Sequence, residues 1–91
     1  MDKQIALACV AEECAKLKRL SYADLARLID HPRSKFVTGA DGKQYQLEIQ
    51  VFWDRRKDGD LRVVVSVDDG GLRAFMPLTN DFIMSPTGEL L

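Results

Sequence analysis

Two aspartates and two glycines, residues 68–71, lie between two apolar stretches of the sequence. Their types are compatible with a carboxylate pair on a metal ion, a glycine-rich phosphate loop or the turn of a β-hairpin. A calcium loop needs acidic or amide ligands at several alternating positions and a distal glutamate. A phosphate loop needs glycines that lead into a helix, with a lysine. Here the glycines precede LRAFM, which has the pattern of a strand, so we interpret Asp69-Gly70 as a type I′ hairpin turn.

The histidine and the two cysteines are the other residues with reactive side chains. His31 is the only histidine, so any histidine-activated nucleophile must use it. It follows Asp30 at the expected end of a helix, where histidine is commonly a capping or surface residue. Cys9 and Cys14 lie about 140° apart around the expected first helix, which prevents a disulfide between them. A zinc site needs more ligands at closer spacing than these residues provide. Since the sequence shows no complete catalytic or ligand set, we predict no catalytic residues, no metal site and no cofactor.

Residues 53–60, WDRRKDGD, form a charged segment that could meet a phosphate through Arg55, Arg56 and Lys57. Three aspartates in the same segment neutralise these cations. A mixed charge run of this kind is typical of a solvated loop. Trp53 continues the alternation of the preceding strand and is interpreted as a core residue rather than as a stacking platform.

The composition limits the classes of partner. The chain has 91 residues, 13 basic and 14 acidic side chains and a net charge of -1. It therefore lacks the basic excess that is typical of a nucleic-acid binder. Its longest apolar run, Ile5–Ala11, is much shorter than the roughly 20 residues of a membrane span. We expect one cytoplasmic domain over residues 1–91, with no membrane partner.

Two N-terminal segments have helical periodicity. The apolar residues of the first recur at steps of three and four: Leu7, Val10, Cys14 and Leu17. This stripe predicts a helix over about residues 3–19. In the second, Ser21 and Asp24 resemble a capping box, and Pro32 prevents the helix from continuing, which predicts a helix over about residues 22–30.

After Pro32 the apolar period changes from that of a helix to that of a strand. The predicted strands cover about residues 34–39, 43–53, 61–67 and 72–78. The apolar residues 82–84 are either a fifth short strand or part of a tail that covers the sheet edge. We therefore predict an α+β fold, in which two N-terminal helices pack on one face of a four-stranded, alternatively five-stranded, antiparallel β-meander.

The turn signals predict the pairing of these strands. Asp41-Gly42 and Asp69-Gly70 are each expected to form a two-residue turn, and residues 54–60 a longer loop. The resulting pairs are Phe36 with Leu47, Thr38 with Tyr45, Ile49 with Val65, Val51 with Val63, Val63 with Met76, Val65 with Ala74 and Val67 with Leu72. All of these registers bring apolar faces together, whereas a one-residue slip would expose every core residue.

The same registers place a mixed group of apolar and polar residues on the outer face of the sheet, away from the helices. The candidate interface consists of Gln50, Phe52, Arg62, Val64, Arg73 and Phe75. Aromatic residues among arginines, with few lysines, are typical of protein interfaces. Antiparallel sheets also expose scattered hydrophobes without any partner, but three adjacent ones are less common.

Three functions remain open at this point. The pattern favours a small interaction or regulatory module that binds a protein partner or itself, with a homodimer as one form. An enzyme or ligand-binding protein that uses carboxylates and arginines near His31 or the Asp-Gly loops is the first alternative. The second is a weak single-stranded nucleic-acid binder that stacks bases on Phe52 and Phe75, which the net charge of -1 argues against.

Overall fold

The computed structural model describes residues 2–68 and 78–91. In these residues two helices precede four strands: α1 (Lys3–Leu17), α2 (Tyr22–Ala26), β1 (Arg33–Thr38), β2 (Gln44–Trp53), β3 (Leu61–Asp68) and β4 (Leu78–Met84). The strands form one antiparallel sheet in the order β1-β2-β3-β4. Helix α1 contacts β2, β3 and β4, and α2 contacts β3. The predicted α+β class and the antiparallel meander are therefore confirmed.

Helix α1 is capped by Asp2. The side chain of Asp2 accepts hydrogen bonds from the backbone N–H groups of Gln4 and Ile5, at 2.9 and 3.1 Å. The buried residues of the helix are Ala6, Cys9, Val10, Glu13, Cys14 and Leu17. Leu7, which the sequence placed on the buried stripe, is instead 46% exposed. The buried stripe is therefore rotated toward the small residues, which allow the helix to lie close to the sheet.

Helix α2 is shorter than predicted. Ser21 accepts a hydrogen bond from the backbone of Asp24 at 3.1 Å, as a capping residue does. The helix ends at Ala26 rather than near residue 30. The physical reason is that Ile29 forms a parallel bridge with Val51 of β2, which requires extended backbone.

The central strand pair has the predicted register. Ile49 lies opposite Val65, and Val51 lies opposite Val63. These residues are almost completely buried beneath the helices, as are their neighbours on the same face. Strict alternation on both strands determines this register, because a slip by one residue would exchange the buried and exposed faces.

The predicted register of β1 is wrong by one residue. The observed pairs include Lys35 with Leu47, Phe36 with Gln46, Val37 with Tyr45 and Thr38 with Gln44. Phe36 therefore lies on the outer face, where it is 65% exposed, instead of facing the core. Lys35 lies on the helix side, opposite the buried Leu47.

The β1–β2 turn explains this shift. Gly39 N–H donates to the carbonyl of Lys43 at 2.8 Å, and Gly42 has a φ of 79°. The loop therefore has three residues and ends on a left-handed glycine, instead of the two-residue turn expected at Asp41-Gly42. One additional loop residue moves every side chain of β1 to the opposite face.

The predicted partner of β3 is also wrong. Val63 lies opposite Phe82, Val65 opposite Asn80 and Val67 opposite Leu78. The expected partners of these three valines were Met76, Ala74 and Leu72, and β4 occupies that side of β3 instead. The predicted turn at Asp69-Gly70 and all but the last residue of the predicted strand 72–78 lie outside the described residues. Residues 82–84, expected as a short strand or as part of a tail, lie in a strand, at the end of β4.

The chain after β4 turns back at SPTG, as its composition indicates. Gly88 N–H donates to the Ser85 carbonyl at 2.8 Å, and Leu91 N–H donates to the Ile83 carbonyl at 2.9 Å. The C-terminal residues thus cover the end of β4. Among the described residues, no helix is long and apolar enough to span a membrane.

Candidate functional site

The outer face of the sheet carries the candidate site. Alternation along β2 and β3 turns Phe52, Arg62 and Val64 away from the helices. In β4 the same alternation turns Asp81 and Ile83 to this face, because Phe82 and Met84 are buried in the core. No helix within the described part of the chain covers this side of the sheet.

Three apolar side chains form a cluster that we call the outer patch: Phe52, Val64 and Ile83. Arg62 lies between Phe52 and Ile83 in the cross-strand row, and Val64 occupies the next position on that face of β3. Phe52 is 43% exposed, whereas Val64 and Ile83 are each half-buried. The outer patch is thus a partly exposed group of apolar side chains arranged around Arg62.

Four of the six candidate residues predicted from the sequence lie together here: Gln50, Phe52, Arg62 and Val64. The other two, Arg73 and Phe75, lie outside the described residues. The neighbours predicted for them on β3 have other partners, since Val64 lies opposite Asp81 and Ser66 lies opposite Thr79.

Sequence reasoning missed Ile83 because it assigned a different segment to the fourth strand. The signal is the unbroken apolar run Phe82-Ile83-Met84, because successive strand residues point to opposite faces and one of the three must lie on the outer face.

Arg62 is held between two carboxylates. Its Nε donates to Asp54 Oδ1 at 3.0 Å, and a second guanidinium nitrogen pairs with Asp81. The hydrogen bond to Asp54 is the main reason that the pKa of Arg62 lies above its ordinary value, with a smaller contribution from Asp81. Both sides of the guanidinium are thus engaged, which leaves little of its charge to attract a phosphate. This arrangement argues against the nucleic-acid alternative at this site.

The Asp41-Gly42 loop has structural contacts, whereas Asp69-Gly70 lies outside the described residues. Asp41 accepts hydrogen bonds from the Tyr45 hydroxyl at 2.8 Å and from the Lys43 N–H at 3.1 Å. Desolvation opposes its charged form, but these hydrogen bonds outweigh it and lower the pKa of Asp41 below its ordinary value. The pKa of Tyr45 is raised by burial and by its bond to Asp41. Asp41 therefore fixes the β1–β2 turn against the core.

His31 lies at the surface after α2. Its backbone N–H donates to the Leu28 carbonyl at 2.9 Å. It lines a cavity with Asp24 and Arg27, and these two residues form a salt bridge of 3.0 Å with each other. The lining residues include no serine, threonine or cysteine. The carboxylate and arginines of the enzyme hypothesis do lie beside His31 here, and the carboxylate of Asp24 is engaged by Arg27.

The two cysteines are free and buried in α1. Burial is the main cause of the raised pKa of both Cys9 and Cys14, so their reactive thiolate forms are suppressed. Across residues 2–68 and 78–91, no group of three His, Cys, Asp or Glu side chains could hold a metal ion.

The charged loop after β2 is anchored to the second helix. Arg55, Arg56 and Lys57 are exposed, as expected of a solvated loop. The carbonyl of Gly59 accepts a hydrogen bond from the Tyr22 hydroxyl at 2.6 Å. Trp53 is partly buried against the core, in agreement with its interpretation as a core residue.

Comparison with known proteins identifies no relative of this chain: no family model, no curated protein and no solved structure matches it.

Proposed function

We propose that this protein is a small cytoplasmic interaction module that binds a second copy of itself through the outer face of its sheet. In this proposal both helices cover one face of the sheet and leave the other for the partner. The observation that carries the proposal is the outer patch, in which Phe52, Val64 and Ile83 occupy neighbouring positions around Arg62 on the face away from the helices. Single exposed hydrophobes are normal on a protein surface, but several at neighbouring positions, with a paired arginine among them, are typical of an interface.

The sheet edges support the choice of the face over edge-to-edge pairing. Edge strand β1 carries Lys35 pointing toward the helices, and inward-pointing charges protect an edge from pairing with another chain. On the other side, the end of β4 is covered by the C-terminal residues through the Leu91–Ile83 hydrogen bond. The outer face has no comparable protection within the described residues.

The electrostatics of the patch support a second copy as the occupant. Asp54 and Asp81 neutralise Arg62 and leave one negative charge on this set of residues, and the whole chain carries a net charge of -1. Two copies therefore repel each other only weakly. A symmetric dimer places the same apolar cluster against itself. Added salt should screen the residual repulsion and strengthen this association, whereas it would weaken binding to nucleic acid.

The size of the face sets the expected affinity. Strands β2, β3 and β4, of about eight residues each, present roughly 400 Å² of flat area at the usual strand spacing and rise. Standard protein interfaces bury about 800 Å² per partner. The self-association is therefore expected to be weak and concentration-dependent rather than obligate.

Sedimentation velocity over a wide concentration range tests the proposal. The variant Phe52→Asp places a charge in the outer patch, and we expect it to remain monomeric where the wild type dimerises. Phe36→Asp is the matched control, since Phe36 is an exposed aromatic residue on the same face but in the edge strand β1. A wild type that is monomeric at every concentration contradicts the proposal, as does equal dimerisation of both variants.

A further inference from the structure

A cavity of about 310 Å³ opens on the helix side of the sheet, where the C-terminal half of α1 lies above the first two strands. Its apolar lining comes from the helix, from the two turns around α2 and from β2: Leu17, Leu20, Leu28 and Ile49. Leu17, Leu28 and Ile49 also belong to the hydrophobic core. The cavity therefore extends from the surface to residues of the hydrophobic core.

The net charge of the cavity lining is opposite in sign to that of the whole chain. Lys16, Arg33 and Lys35 line it, together with the single carboxylate of Glu13. The lining thus carries three positive charges and one negative charge, although the whole chain has a net charge of -1. Within the described residues, neither Lys16 nor Arg33 forms a salt bridge.

The carboxylate of Glu13 is already bound. Lys35 Nζ donates to Glu13 Oε1 at 2.9 Å, and the Glu13 side chain is only 7% exposed. This bond fixes the Lys35 ammonium at the wall of the cavity and leaves two further N–H donors for another acceptor. The Lys35 side chain is 40% exposed, so its ammonium is accessible to solvent while it is bound to the buried carboxylate.

We propose that this cavity binds a small amphipathic carboxylate, with its alkyl chain on the leucines and its carboxylate at Arg33 and Lys35. A guanidinium and an ammonium beside an apolar floor match the two ends of such a molecule. The cavity volume lies at the lower end of the range for small-molecule sites, which are likewise apolar with a few polar groups. The cavity at His31 shares Leu20, Leu28 and Arg33, and so continues the same groove.

Four probes separate the contributions of chain and charge: octanoate, octylammonium, 1-octanol and acetate. Each is titrated into the isotope-labelled full chain while the methyl resonances of Leu28 and Ile49 are followed by NMR. We expect saturable shifts with octanoate and no saturation with acetate. Octylammonium and 1-octanol should bind at least about tenfold more weakly, which is equivalent to one lost charge-assisted hydrogen bond.

Octanoate binding by single variants tests where the carboxylate of the ligand lies. Arg33→Ala should weaken octanoate binding by about tenfold on the same grounds. Arg55→Ala is the control, because Arg55 is an exposed arginine in the loop after β2. Phe52→Asp should bind octanoate as the wild type does, so this proposal and the proposed dimer can fail separately. Absence of saturable octanoate shifts, equal binding of octylammonium or an unchanged affinity in Arg33→Ala would each overturn the proposal.

Discussion

Replacement of Lys35 by methionine tests the register of β1, because the two possible registers give Lys35 different partners. In the structure Lys35 Nζ lies 2.9 Å from Glu13 Oε1, on the helix side of the sheet. In the register predicted from the Asp41-Gly42 turn, Lys35 would lie on the outer face beside Glu48. Methionine keeps most of the length of the side chain and removes only its charge.

The magnitude follows from the exposure of the two side chains. Fully exposed ion pairs contribute about 0–1 kcal/mol. Loss of one partner of a fully buried pair destabilises a protein by about 3–5 kcal/mol. The Lys35 side chain is 40% exposed and that of Glu13 is 7% exposed, which places this pair between the two limits. We therefore expect Lys35→Met to lower the free energy of unfolding by about 1–2 kcal/mol, with much of that as coupling to Glu13.

A double-mutant cycle measures the coupling. Urea denaturation of the wild type, Lys35→Met, Glu13→Gln and the double variant gives the interaction energy between the two side chains. The same cycle with Glu48→Gln is the control, and its effects should add within about 0.5 kcal/mol. Coupling of Lys35 to Glu48, with none to Glu13, would refute the observed register and the assignment of Lys35 to the cavity.

Three further predictions concern the turn, its titration and the thiols. Gly39→Ala should lower the free energy of unfolding by about 1–3 kcal/mol in urea denaturation, because an added Cβ would lie 2.7 Å from the Tyr45 ring; unchanged stability would contradict the turn geometry. The raised pKa of Tyr45 predicts stability that is lost as pH rises above 10.0, and the lowered pKa of Asp41 predicts stability that is lost as pH falls below 3.8. Tyr45→Phe should reduce both the alkaline and the acid loss of stability in pH-dependent denaturation, with part of the alkaline loss remaining because the pKa of Tyr22 is also raised by burial. An unchanged pH dependence would count against this hydrogen bond. Cys9 and Cys14 should react with a chromogenic thiol reagent only as fast as the protein unfolds, and immediate modification of the native chain would contradict their burial.

The parts of the fold that follow from alternation could be predicted from the sequence. Strands β2 and β3 carry uninterrupted apolar faces, so only one register buries both, as the Ile49–Val65 pair shows. The β1 register could not be predicted in the same way, because Asp41-Gly42 is compatible with loops of two or three residues. In the observed turn Gly39 packs against Ile5 of α1, since an added Cβ would lie 2.6 Å from the Ile5 side chain. A contact with a helix so distant in the sequence could not be read from the turn residues.

The missed pairing of β4 has a different cause. The polar residues Thr79, Asn80 and Asp81 interrupt the apolar alternation of this strand, and asparagine and aspartate are depleted in strands. In residues 72–78 an apolar residue recurs at every second position, so periodicity alone favoured that segment as the fourth strand. This error also concealed Ile83 as a member of the outer patch, whereas Phe52 and Val64 were placed correctly by the β2–β3 register.

The most direct test of the proposed dimer is the location of its interface in solution. Backbone amide shifts of the labelled protein, measured by NMR across a concentration series, report which residues sense the partner. We expect concentration-dependent shifts centred on Phe52, Arg62, Val64 and Ile83, with those of Phe36 unchanged. Shifts confined to edge strand β1, or none at concentrations where sedimentation detects a dimer, would contradict the outer face as the interaction surface.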